Sequence, residues 1–144
     1  MEIYYTQNQQ NELASSAITS NLAEINIVPL DGDRALNAIF YALPPDERRN
    51  DGRIRDKWLD KYRHIAQHGG LAFYGCNPLT GERSELISFK PDRPLPDRKY
   101  EQPPHSQNRV FYANVDALTW QTVADRWGVT RPADGNFWLW ALSL

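Results

Sequence analysis

The chain has 144 residues, 41% of them hydrophobic and 24% charged, with a net charge of −2 and a pI near 5.9. Such values fit one globular domain able to bury a core, and they exclude a disordered tail or a protein that is basic overall. The single cysteine, Cys76, excludes an internal disulfide and supplies no zinc framework, and no apolar run is long enough to span a bilayer.

Residues 1–33 carry Glu2, Glu12, Glu24, Asp31 and Asp33 but no Lys or Arg. The cations gather between Arg48 and Arg63 and between Arg83 and Arg109, so a local basic face is compatible with an acidic chain. Met1-Glu2-Ile3-Tyr4-Tyr5 is no signal peptide, and one reduced cysteine suits a cytoplasmic location.

Residues 1–14 are polar and Gln/Asn-rich, which predicts a flexible N-terminal arm in which Ile3, Tyr4 and Tyr5 have docking potential; the domain proper then runs from 15 to 144. Ile18, Leu22 and Ile25 are spaced by four and three, predicting a short amphipathic helix within Ser16 to Ile27 that Val28-Pro29-Leu30 ends. Asp31 or Asp33 caps the next helix, where Leu36, Ile39, Phe40 and Leu43 fall at i, i+3, i+4 and i+7 before Pro44-Pro45 stops it. The pair Asp31-Gly32-Asp33 looks like a metal-binding D-x-D, but no preceding strand aims both carboxylates, so capping is the expected role.

Arg53 to Gln67 reads as the strongest helix, with Ile54, Trp58, Leu59, Tyr62, Ile65 and Ala66 on the apolar side and Gly69-Gly70 as its stop. Arg53, Arg55, Lys57, Lys61 and Arg63 share the outer face with Asp56 and Asp60, which makes either a solvated face or a phosphate-contacting one. His64 and His68 have the i, i+4 spacing of two ligands, yet His64-Ile65-Ala66-Gln67-His68 lacks the glutamate of a metalloprotease helix. Adding Cys76 and His105 gives four zinc-type donors without a framework spacing, so no metal or other cofactor is expected.

Leu71 to Cys76 and Ser84 to Phe89 predict a hairpin around the turn residues Asn77-Pro78-Leu79-Thr80-Gly81. Arg109 to Ala113 is the third strand expected, and Ala117 to Trp127 a helix capped by Asn114 or Asp116 and ended by Gly128. Phe137-Trp138-Leu139-Trp140-Ala141-Leu142 is almost wholly apolar, so it either docks in the core or continues into something longer. The fold class expected is α+β: a small antiparallel sheet (hairpin 71–89 plus strand 109–113) packed by three to four helices.

Between strands lies Phe89-Lys90-Pro91-Asp92-Arg93-Pro94-Leu95-Pro96-Asp97-Arg98-Lys99-Tyr100-Glu101-Gln102-Pro103-Pro104. Its prolines lack N–H groups and bias their predecessors to extended geometry, which predicts a stiff loop. On composition alone it is either a rigid surface crossover or a ligand surface bearing Lys90, Arg93, Arg98, Lys99 and Tyr100.

The ordered series Asn50-Asp51-Gly52-Arg53, Lys61-Tyr62-Arg63-His64, Gly69-Gly70, Asn77-Pro78-Leu79 and Phe89-Lys90-Pro91-Asp92-Arg93-Pro94 with Lys99-Tyr100-Glu101-Gln102-Pro103-Pro104 resembles the N-terminal region of cyanobacterial plasmid replication proteins. Those are primase-helicase-like chains with a TOPRIM-like domain of unknown function behind this region. The loop is also similar to the segment before the TOPRIM fold in DnaG-type primases, on the subdomain that guides single-stranded template. That resemblance implies strand contact at Lys99 and Tyr100, with Arg93 and Arg109 as the neighbouring cations; Lys90 and Arg98 of the loop and Arg53 and Arg55 of the helix face complete the expected nucleic-acid-binding set. Family members usually carry paired tryptophans after the double glycine where this chain has Leu71 and Ala72, a departure from the pattern on which a stacking role at that hairpin would rest.

The expectation that follows is a non-catalytic module binding single-stranded DNA within a replication protein. The TOPRIM acidic residues would lie beyond Leu144, and no nucleophile elbow or P-loop is present. The alternative is a protein-interaction, decoy or inhibitor module of a mobile element, binding a replication-protein partner; the acidic first third and the apolar end fit it.

Overall fold

The computed structural model describes residues 2–77, 80–107 and 113–128, leaving aside the side chains of Ile87, Trp120, Val123, Ala124 and Trp127. In chain order its elements are α1 (Gln7–Ser15), α2 (Ser20–Asn26), β1 (Ile27–Leu30), α3 (Gly32–Ile39), a 3₁₀ turn (Pro45–Glu47), α4 (Asp56–Lys61), α5 (Arg63–His68), β2 (Gly70–Cys76), β3 (Arg83–Pro91) and α6 (Ala117–Trp127). The fold is α+β, with a three-stranded antiparallel sheet of order β1-β2-β3 among the described residues.

The hairpin forms close to the expected bounds, turning through Asn77 and Gly81, whose backbones bond at 2.8 Å. The third described strand is β1, not the segment 109–113, of which 109–112 lie outside the described residues. Val28-Pro29-Leu30 therefore does more than end a helix. It pairs with Ala72, Leu71 and Gly70 along the outer edge of β2. Proline is tolerated there because an edge strand needs hydrogen bonds on one side only.

Strand alternation divides the core in two. On one face Ala72 and Phe89 pack with Ala35 and Ile39 of α3, Phe40, Leu43, Tyr62 and Ile65, all buried. On the other, Leu71 and Ile27 pack with Leu13 of α1 and Ala23 of α2. Helices on both faces explain why β2 is nearly continuous in apolar residues.

Two further expectations are corrected. The stretch read as a flexible arm contains α1, which is capped by Thr6 and Gln9 in a reciprocal box and buries Gln9 and Leu13. The helix expected over 53–67 is two helices broken at Tyr62, and Ile54 precedes them in a β-bridge to Arg48. Tyr62 is wholly buried, edge-on to Phe40, and its hydroxyl donates to the Gln102 carbonyl at 2.9 Å. Asn26 is a third fixture: buried, it donates to the Leu22 and Asn114 carbonyls and accepts from the Asn114 N–H. The apolar segment 137–142 lies outside the described residues.

Candidate nucleic-acid interface

The proline-rich loop leaves β3 at Pro91 and is tied down at both ends. At its start the Asp92 N–H donates to the Gly69 carbonyl at 3.0 Å, and the buried Gln9 amide donates to the Asp92 carboxylate at 3.1 and 3.2 Å. At its finish Glu101 exchanges two 2.8 Å backbone hydrogen bonds with Phe89, on the β3 edge that β2 leaves open. A turn closes between, with the Arg98 N–H on the Leu95 carbonyl. The expected stiffness therefore comes from tertiary ties as well as from proline.

The cations of this region divide into those the fold uses and those it leaves outside. Lys90 is only 9% exposed and forms an ion pair with Glu12 of α1. Burial and the nearby Lys99 push its ammonium pKa down, and the Asp92 carboxylate pulls it up. It is thus a structural cation, against the expectation of a ligand contact. The reason is alternation: Phe89 points into one core, so Lys90 faces the other side, and α1 covers that side.

Arg98 is partly withdrawn as well, its Nε lying 3.5 Å from Glu101 Oε1 and 3.9 Å from Asp97. Arg93 is exposed and has no ion pair among the described residues. Lys99 is exposed, with its ammonium 5.7 Å from the centroid of the Tyr100 ring. Tyr100 stands edge-on to Phe73 at 6.4 Å and remains 46% exposed. One loop thus presents two cations and an aromatic surface to solvent.

Arg53 and Arg55 do not join this group. They lead into α4, on the face of the sheet opposite Phe73. Arg53 is exposed beside Asp51 at 3.6 Å. Arg55 spends its guanidinium on the Arg48 and Asp46 carbonyls, fixing the segment before α4. Arg109 lies outside the described residues.

Sequence reasoning passed over three features. Lys57 and Lys61 bracket the Trp58 ring at 4.9 and 5.7 Å, an i, i+4 cation pair about one aromatic that was visible in the spacing. Glu101 and His64 meet in the interior, Oε1 to Nε2 at 3.3 Å, and only the fold brings them together. On the α3 side a groove of about 1020 Å³ opens between Tyr41, Tyr74, Leu86 and the segment Pro103–His105, with Tyr41 83% exposed.

His64 and His68 do not act as a pair, since His64 faces Glu101 and His68 is exposed. Among the described residues no three His, Cys, Asp or Glu side chains converge as a metal group, and no helix is long and apolar enough to cross a membrane. Asp31 occupies the α3 cap position without a side-chain cap bond, and Asp33 lies in the first turn, where a carboxylate is favoured.

No family model matches the chain, and no solved structure matches it. An uncharacterized protein of Picosynechococcus sp. (strain ATCC 27264 / PCC 7002 / PR-6) is 38% identical to it over 135 residues, or 89% of this chain. The chain spans 13% of that relative's length.

Proposed function

We propose that this chain is a non-catalytic module for single-stranded DNA, of the kind carried at the N-terminal side of primase-helicase-like plasmid replication proteins. The observation that carries the reading is the exposed Lys99-Tyr100 pair on a loop anchored at both ends. Single-strand binding combines cations that follow phosphates with aromatic faces on which bases stack. Lys99 and Arg93 supply the first and Tyr100 the second.

The test is titration of a labelled single-stranded oligonucleotide at low and high salt. Tyr100→Ala is expected to weaken binding roughly 5- to 150-fold, the equivalent of about 1–3 kcal/mol for one stacked base. Lys99→Ala is expected to reduce the slope of log affinity against log salt by about 0.7, the value for one phosphate on a single strand. Absence of binding at low salt, or indifference to both substitutions, discards the proposal.

The open groove beside Tyr41 favours a second reading, a protein-interaction module for a replication-protein partner. Capture of such a partner that survives nuclease and is lost with Tyr41→Ala would support it over DNA binding.

A further inference from the structure

Glu101 follows directly on Lys99 and Tyr100, yet it is 3% exposed. A carboxylate is seldom so deeply buried unless it is paired. Its Oε1 lies 3.3 Å from His64 Nε2 on α5 and 3.5 Å from Arg98 Nε on the loop itself. All three atoms are shielded from water and none makes a hydrogen bond among the described residues, so what joins them is charge at ion-pair distance. The main chain of Glu101 is held separately, by its two bonds to Phe89. One residue therefore joins β3, α5 and the loop, and beside it Tyr62 of the same helical segment grips the Gln102 carbonyl.

We infer that Glu101 is a positioning residue for single-strand binding. Its buried carboxylate, held between His64 and Arg98, fixes the end of the loop so that Lys99 and Tyr100 meet a phosphate and a base together. A loose loop would have to lose that freedom on binding, and affinity would fall accordingly. The functional half of this inference rests on the single-strand reading; the hold on the loop does not.

Amide hydrogen exchange on the full chain tests the hold. In Glu101→Gln the Arg98 and Glu101 amides should exchange at least about tenfold faster, while β2 amides keep their protection. His64→Gln, which breaks the same tie from the helix and serves if Glu101→Gln fails to fold, should give the same pattern, and the double variant should add little. Unchanged exchange at both amides in His64→Gln overturns the hold.

Oligothymidylate titration then tests positioning. Glu101→Gln should bind about tenfold more weakly than wild type, but the same change made in a Lys99→Ala/Tyr100→Ala background should matter by less than about twofold. Equal losses in both backgrounds mean general destabilisation and overturn the positioning role. If the wild type fails to bind, the single-strand reading falls with the functional half, and exchange still decides whether Glu101 holds the loop.

Discussion

Gly70→Ala tests the packing beneath the loop. Gly70 opens β2, between Leu30 on one side and Pro91 on the other. A Cβ at this position would stand 2.3 Å from the Lys90 carbonyl oxygen, 2.6 Å from Phe89 Cε1 and 2.8 Å from Pro91 Cα. All three atoms belong to β3 and two are backbone, so no rotamer change relieves the contact. Overpacking typically costs about 1–3 kcal/mol, and backbone contacts this close place Gly70→Ala at about 3 kcal/mol. For a domain of this size that is a fall of roughly 6–12 °C in Tm. Gly52→Ala separates steric from conformational cost, because Gly52 has φ +84° and nothing within 4 Å of a built Cβ. It should lose only the left-handed penalty of about 1–2 kcal/mol. Urea denaturation followed by circular dichroism measures both variants. If Gly70→Ala costs no more than Gly52→Ala, β2 and β3 are not tightly apposed at Gly70.

Two further outcomes follow from the buried polar groups. Burial, and then the Glu101 carboxylate, raise the Tyr62 pKa to about 12 from 10.0, with Arg98 opposing. The unfolded chain therefore loses this proton first, and Tyr62 contributes stability below pH 10 that disappears as pH rises towards 12. Tyr5 behaves in the same way, also reaching about 12 through burial. Tyr62→Phe should cost about 0.5–1.5 kcal/mol near neutrality by losing its hydrogen bond to the Gln102 carbonyl, and should flatten the alkaline decline; a decline as steep as wild type in urea melts across pH 9–12 would contradict this. Glu12→Gln removes the paired carboxylate of the Lys90 ammonium and leaves it only the nearby Asp92. Since Glu12 is 38% exposed, about 1–2 kcal/mol is expected rather than the full cost of a buried pair. Adding Lys90→Met should restore most of it in chemical denaturation, and a harmless Glu12→Gln would refute the pairing.

Much of the fold was legible because its signals are local. Ile39 and Phe40 are buried where the i, i+3, i+4 spacing put them, although α3 ends at Ile39 and the buried Leu43 lies beyond the helix expected to run to Pro44. Both hairpin strands appear within a residue or two of their expected ends. The α1 cap was legible too, as Thr6 followed three residues later by Gln9, but the polar composition around it masked the helix. Pro29 concealed β1, because a four-residue strand containing proline is recognisable only when its edge position is known. Nothing in the sequence marks Tyr62 as a break. The helix parts there because the ring is buried against Phe40 while its hydroxyl reaches Gln102, forty residues away.

The same division runs through the candidate site. By itself the sequence determined that a proline-stiffened, cation-bearing loop follows the hairpin, although Phe89, Lys90 and Pro91, read as its start, belong to β3. Which cations face solvent was decided by the tertiary structure. Alternation along β3 turned Lys90 towards α1, Arg55 was drawn onto backbone carbonyls, and Arg98 leaned on Glu101. Lys99 and Tyr100 stayed outside because the neighbouring Glu101 was taken inside. Burial and ion pairing join residues far apart in the chain, so only the folded arrangement could set them.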